Sequence, residues 1–235
     1  MVHSLGARVT LCTPKPLTRI LKTISTPLNV ISEGDTVPDF DFYCPLASLP
    51  NIFDTTLHSI PATAPYLFAD LKKVTEWRMK LGIDPRLRIG IAWSTTTIGA
   101  NATTRSIPLK DFSVLLDTRI EWHSLQVNYR RDDLAVLSRI PQIKRHERSQ
   151  DDLSDTAALI ETVDLVVSVD TSVAHLAGAM NKPTWLLLPY HADFRWLLDR
   201  TTSPWYPSLR IFRQTESRTW APVLESVYNE LTKLL

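Results

Sequence analysis

The sequence predicts an α/β protein. Short runs of β-branched or apolar residues alternate with stretches of helical period, the pattern of βαβ units and a mostly parallel sheet. One run, DLVVSV at 164–169, is apolar on both faces, as a central parallel strand must be. With 235 residues and 44% hydrophobic composition, the chain can bury a sizeable core.

In order, RVTLCTP reads as a strand, PLTRILKTI as a helix opened by a proline, LNVIS as a strand and FDFYCPL as another. A proline-rich stretch through Pro50, Pro61 and Pro65 reads as a connection between lobes. The pattern is then cleaner: helix DLKKVTEWRMKLG, strand RIGIAWS, polar loop TTTIGANATTR, helix LKDFSVLLD, strand IEWHSLQV, helix DDLAVLSRI and a weak strand near Ile143. Helix DTAALIETV, strand DLVVSV, helix SVAHLAGAM, strands TWLLLP and LRIFR, and a closing helix from Trp220 complete it. Six strands with intervening helices make one doubly wound lobe over 70–235, and residues 1–69 supply only about three strands of a second lobe.

The formal charge of +1, with apparently basic runs such as RRDD at 130–133 carrying their own acids, gives nucleic-acid or membrane-surface binding no electrostatic support. No apolar stretch reaches the ~20 residues of a membrane span, and the start MVHSLGARVT lacks signal-peptide order. The cytoplasm is the default expectation. Cys12 and Cys44 sit in apolar sequence without CxxC spacing and read as reduced core residues.

Asp170 falls at the carboxyl edge of DLVVSV, where ligands of open α/β sheets bind. Asp170, Thr171 and Ser172 can cap the next helix, whose first-turn N–H groups favour a phosphate. His175 lies near the same turn and could donate to that anion. Equally, these residues can be a simple cap and a packed histidine. Arg105, ending the loop after RIGIAWS, has the fork that grips two phosphate oxygens, although an arginine before a helix is often only a solvated charge. Gln126 ends a strand where its amide could read a base edge, and Asp155 with Thr156 opens the helix before DLVVSV; each could be merely a cap or a surface residue. Trp93, Trp196, Trp205 and Tyr206 could line a sugar or base pocket or pack in the core. His123 reads as structural.

Together RIGIAW, the loop ending RSIPL, HSLQ, DTAALI, DLVVSVDTSVAHLAGAMNKP, WLLLP, DFRWLLDR and SPWYPSLRIFRQ resemble the carboxyl-terminal half of bacterial glycosyltransferases related to the heptosyltransferases (glycosyltransferase family 9 related). The likeness is to the branch often found behind tetratricopeptide repeats. GARVTL, FDFYCPLASLP and IPATAPYL are similar to that family's amino-terminal lobe. The resemblance implies a GT-B-like architecture of two Rossmann-like lobes, here with an incomplete amino-terminal lobe. It implies an inverting, metal-independent transfer from a nucleoside-diphosphate sugar to a glycan, lipid or protein acceptor, with no cofactor. It places the donor diphosphate at Asp170, Thr171, Ser172, Val173 and His175, assisted by Arg105, and the base or sugar near Ser94, Gln126, Asp155 and Thr156.

The sequence departs from the family twice. The family begins with a strand and a loop that carries the acceptor-activating aspartate; only Met1 to Leu5 precede Gly6. That base is therefore expected to be absent. Asp35, Asp41, Asp54 and His58 offer no spacing that selects a substitute, so no catalytic residue is assigned. The loop after Trp93 reads STTTIGANATT rather than the family's WAGNP-like sequence. The alternative reading is an inactive nucleotide-sugar-binding module. A Rossmann-type oxidoreductase is disfavoured, because no GxGxxG follows a strand.

Overall fold

The computed structural model describes residues 1–95 and 104–235. Most of the loop after Trp93 lies outside the described residues. Two parallel sheets organise the rest. The smaller pairs β1 (Val9–Thr13) with β2 (Leu28–Ser32) around helix α1 (Lys15–Leu21). The larger has six strands in the order β5-β4-β3-β6-β7-β8, all parallel. They are β3 (Leu87–Ala92), β4 (Ile120–Ser124), β5 (Ile143–Lys144), β6 (Leu165–Val169), β7 (Thr184–Leu188) and β8 (Leu209–Arg213).

This order is that of a dinucleotide-type doubly wound sheet. β3 lies between β4 and β6, so successive connections run outward in opposite directions from the β3/β6 pair. The two connections diverge there and leave a crevice beyond the carboxyl ends.

Helices cover both faces of the large sheet. Ile89 and Ile91 of β3 point to one side, with Val167, Val169, Leu187 and Phe212, and pack against Leu109 and Phe112 of α4 (Leu109–Phe112) and against Val223, Leu224, Val227 and Leu231 of α8 (Ala221–Thr232). Helix α5 (Arg131–Leu137) closes the same side through Leu137. On the other side Ala92 and Val166 meet α3 (Leu71–Leu81), α6 (Leu153–Glu161) and α7 (Ser172–Ala179), together with Ile20 of α1. A strand buried on both faces loses the apolar–polar alternation of an edge strand, which is why β6 reads as an unbroken apolar run.

The smaller sheet is tied to the larger lobe by charge as well as packing. Asp155 of α6, only 2% exposed, holds both Lys73 of α3 and Arg19 of α1, and Asp152 takes a second contact from Arg19 at 3.1 Å. Burial works against the Asp155 charge, but the Lys73 hydrogen bond, the Asp151 N–H and the two cations outweigh it and hold the carboxyl below its ordinary range.

At the β5 edge of the large sheet, His123 of β4 and His146, which follows β5, stack with ring centroids 5.2 Å apart, and His123 Nδ1 lies 2.9 Å from His146 Nε2. Trp77 meets His146 edge-on. Beside them Glu121 is 1% exposed and paired with Arg88 at 2.6 Å and with Lys144.

Several sequence expectations are corrected. FDFYCPL forms no strand, and Phe40, Phe42 and Tyr43 are exposed; their apolar spacing has no facing layer to bury it. The small sheet therefore has two strands rather than three. The proline-rich connection contains a single helical turn, α2 (Leu49–Ile52). Cys12 and Cys44 are exposed and free rather than in the core; on the outer face of an uncovered two-stranded sheet, Cys12 has no second layer to meet. Among the described residues no helix is long and apolar enough to cross a membrane.

Candidate functional site: a cleft at the sheet's switch point

The crevice beyond β3 and β6 opens into a cleft of about 530 Å³. Ser94 and Thr95 after β3, Gln126, Val127 and Asn128 after β4, and Leu153 and Thr156 of α6 line one part of it. Arg105, Asp170, Thr171, Ser172, Val173, His175 and Arg195 line the other. The first part is uncharged and the second carries the ionisable groups.

Asp170 organises the charged half. It is 2% exposed, its Oδ2 lies 3.4 Å from Arg105 Nη1, and its Oδ1 lies 3.6 Å from His175 Nε2. Burial opposes ionisation, but the hydrogen bond and charge of His175 and the Arg105 guanidinium outweigh it, so the carboxyl is held below its usual range. Asp170 therefore fixes two cleft-lining side chains instead of capping a helix. Thr171 is the N-cap residue of α7, with φ −140° and ψ 172°, yet its side chain makes no capping bond; its hydroxyl meets Ser168 at 3.2 Å. The first backbone bond of the helix is donated by Ala174 to Thr171, so the Ser172 and Val173 N–H groups precede the ladder. They bring the positive end of α7 into the cleft lining.

His175 is held from three sides. Its Nδ1 lies 3.0 Å from the Tyr206 hydroxyl, and its ring stacks on Trp196 with centroids 5.1 Å apart. Burial pushes the Tyr206 phenol well up, so it stays protonated beside the imidazole. The phenol has no slack, because a Cβ on Gly178 of α7 would stand 2.5 Å from the Tyr206 ring. Gly178→Ala is accordingly expected to lower stability by about 1–3 kcal/mol through overpacking, outweighing the helix propensity gained. Chemical denaturation checks this, and an unchanged midpoint would show that Tyr206 moves freely.

Other candidates stand differently from their sequence reading. Gln126 lines the cleft, but its Oε1 accepts from the Trp93 and Ser94 N–H groups at 2.7 and 2.9 Å, and its Nε2 donates to Ser94 Oγ and the Asn128 carbonyl. Its amide is spent on holding the β3 and β4 loops together, not available to read a base edge. Asp155 is turned to Lys73 and Arg19 and lies outside the cleft lining, while its neighbour Thr156 remains in it. The tryptophan group divides: Trp93 stacks on Tyr129 and donates to Asp133 on the far side of the sheet, whereas Trp196 and Tyr206 buttress His175. None of Trp93, Trp196, Trp205 and Tyr206 lines the cleft. His123 is wholly buried, as a structural histidine should be.

Arg195 is the residue that sequence reasoning missed. It follows β7 in DFRWLLDR, a segment whose glycine-free, irregular sequence gives no sign of which side chain faces the sheet edge. The signal available was position: a cation just past the carboxyl end of the strand next to β6.

Residues 149–227 match the family model of glycosyltransferase family 9 (heptosyltransferase). The family 9 segment contains α6, β6, α7, β7 and β8, and so supplies Thr156, Asp170 to His175 and Arg195, while Ser94, Arg105 and Gln126 come from outside it. Protein FlbA of Caulobacter vibrioides is 24% identical over 198 residues, which cover 82% of this chain and 33% of FlbA. The chain thus spans about a third of that relative's length. The structure of E. coli ADP-heptose LPS heptosyltransferase II aligns with 16% identity and a TM-score of 0.47, covering 77% of this chain and 56% of that one.

Proposed function

We propose that the chain is a glycosyltransferase of the family 9 kind, whose cleft holds the diphosphate of a nucleoside-diphosphate sugar. The observation that carries this reading is the convergence of Arg105, the α7 amino terminus and His175 on one cleft at the β3/β6 switch point. The family match over the same segment supports it.

In this reading the Ser172 and Val173 N–H groups and the Arg105 guanidinium take the phosphate oxygens. Asp170 and His175 act as positioning residues, the first by orienting Arg105 and the second by walling the site beside Thr171. Leu153, Thr156, Val127 and Asn128 accept the nucleoside through shape and apolar contact. When the glycosidic bond to the diphosphate breaks, negative charge accumulates on the leaving phosphate, and oriented N–H groups with a guanidinium stabilise it. The acceptor hydroxyl attacks from the opposite face in an inverting transfer and gives its proton to a base, for which no residue of this chain is proposed. The acceptor is a bacterial glycan, lipid or protein.

Thermal-shift titration with UDP, ADP, GDP and CDP tests the reading. One of the four is expected to stabilise the protein by about 2.7 kcal/mol at a hundredfold excess over its dissociation constant. If none of the four stabilises it, the donor site is not there.

A further inference from the structure

We infer that Arg195 is the second phosphate-binding cation of the cleft and that it takes the distal phosphate, the one that carries the sugar; the inference rests on the donor reading above. Two observations carry it: the division of the cleft into uncharged and charged halves, and the construction of the loop that carries Arg195.

The uncharged half, beyond β4 and along α6, suits a nucleoside. The charged half runs from Arg105 and Asp170, at the centre, to Arg195 beyond β7. A nucleoside diphosphate that lays its base in the uncharged half places its first phosphate by Arg105 and α7. Its chain then continues toward Arg195, on the side of β6 away from Gln126 and Asn128.

The loop that presents Arg195 is held by hydrogen bonds to the peptide groups of Arg195, Trp196 and Leu197. Asp193 accepts from the Arg195 N–H at 3.0 Å and pairs with its Nε at 3.2 Å. Trp205 Nε1 donates to the Arg195 carbonyl at 3.1 Å. Trp196 is fully buried against His175. Leu197 has φ +51° and ψ −170°, a conformation that a non-glycine residue holds only when its surroundings impose it. Arg213 of β8 imposes it, its Nη2 donating to the Trp196 and Leu197 carbonyls at 3.0 and 2.6 Å. Asp193 lies beside the Nε edge of the Arg195 guanidinium as an ion pair without a hydrogen bond, and the Phe194 ring centroid lies 5.6 Å from its Cζ. Among the described residues, its Nη1 and Nη2 groups make no hydrogen bond, which leaves two donors for a phosphate.

The test is isothermal titration calorimetry of the whole chain with UDP, ADP, GDP and CDP and with the four corresponding monophosphates, for wild type, Arg195→Ala, Arg195→Lys and Arg105→Ala. Wild type is expected to prefer one diphosphate over its monophosphate. Arg195→Ala should lose about tenfold in diphosphate affinity with little change for the monophosphate, so the preference collapses. Arg195→Lys should restore part of it, and Arg105→Ala should weaken both ligands. An unchanged diphosphate preference in Arg195→Ala, or an equal loss for both ligands, overturns the inference while the donor site stands. Absence of binding to wild type overturns the donor reading and this inference with it. A circular-dichroism melt of Arg195→Ala that matches wild type separates lost contacts from a collapsed loop; if that melt is lowered, the diphosphate preference of Arg195→Lys decides, and a lysine variant without it counts against the inference.

Discussion

Arg105→Ala is expected to weaken nucleoside-diphosphate binding by about a hundredfold, since charge-assisted hydrogen bonds contribute about 1.5–3 kcal/mol each and a guanidinium offers two. The loss should exceed that of the bonds alone. Arg105 pairs with Asp170 at 3.4 Å, and its removal takes that guanidinium away from a carboxylate that is 2% exposed. An incoming phosphate would then meet a less compensated negative charge. Arg105→Lys keeps the charge without the fork and should fall between wild type and alanine. Calorimetric titration of the three proteins decides: an alanine variant within threefold of wild type would remove Arg105 from the donor site.

The second large effect is loss of stability in mild acid. Burial pushes both His123 and His146 down from 6.5 to about 4; the Glu121 charge opposes this at His123, and at His146 the His123, Lys80 and Lys144 charges add to it. Both rings are therefore neutral in the folded protein near neutrality. The unfolded chain takes up protons on these histidines as pH falls through the ordinary value, and the folded chain does not until about 4. Stability is thus complete above the ordinary value and declines as pH falls from there toward the folded one. Each histidine should cost about 2 kcal/mol between roughly pH 7 and pH 5. Carboxylates held below their ordinary range, such as Asp155 and Asp170, lose their contribution only at lower pH and do not obscure this window. Urea denaturation at the two pH values measures it, and His146→Phe should reduce the difference by about half. Equal stability of wild type at both would mean that the histidine pair opens to water.

How much of this could be read from sequence depends on the kind of order involved. The large sheet was legible because β6, β3 and β7 each carry an apolar run ended by a turn, and burial on both faces imposes that run. The cleft position was legible for Asp170 through His175 because a strand end followed by a helix start fixes the backbone locally. What a polar side chain does once placed is set by distant partners, and there the reading failed. Gln126 is occupied by the Trp93 and Ser94 amides more than thirty positions away, and Asp155 by cations of α1 and α3. Arg195 escaped for the same reason: its place depends on Arg213 and Trp205, neither of which shares its local pattern. FDFYCPL misled because apolar alternation reports a strand only where a layer lies over it.

Asp170 has one more consequence. A carboxylate buried among Arg105, His175 and the start of α7 is a resident counter-ion, so on the proposed donor reading the diphosphate exchanges partners with it rather than simply discharging a positive pocket. Such an exchange favours a dense, multiply charged, correctly shaped anion over chloride or a lone carboxylate, whose weak pull does not compensate for its repulsion by Asp170. On the proposed donor reading, the same residue that looks, on charge alone, like an obstacle to phosphate would act as a threshold that filters abundant small anions out of the cleft.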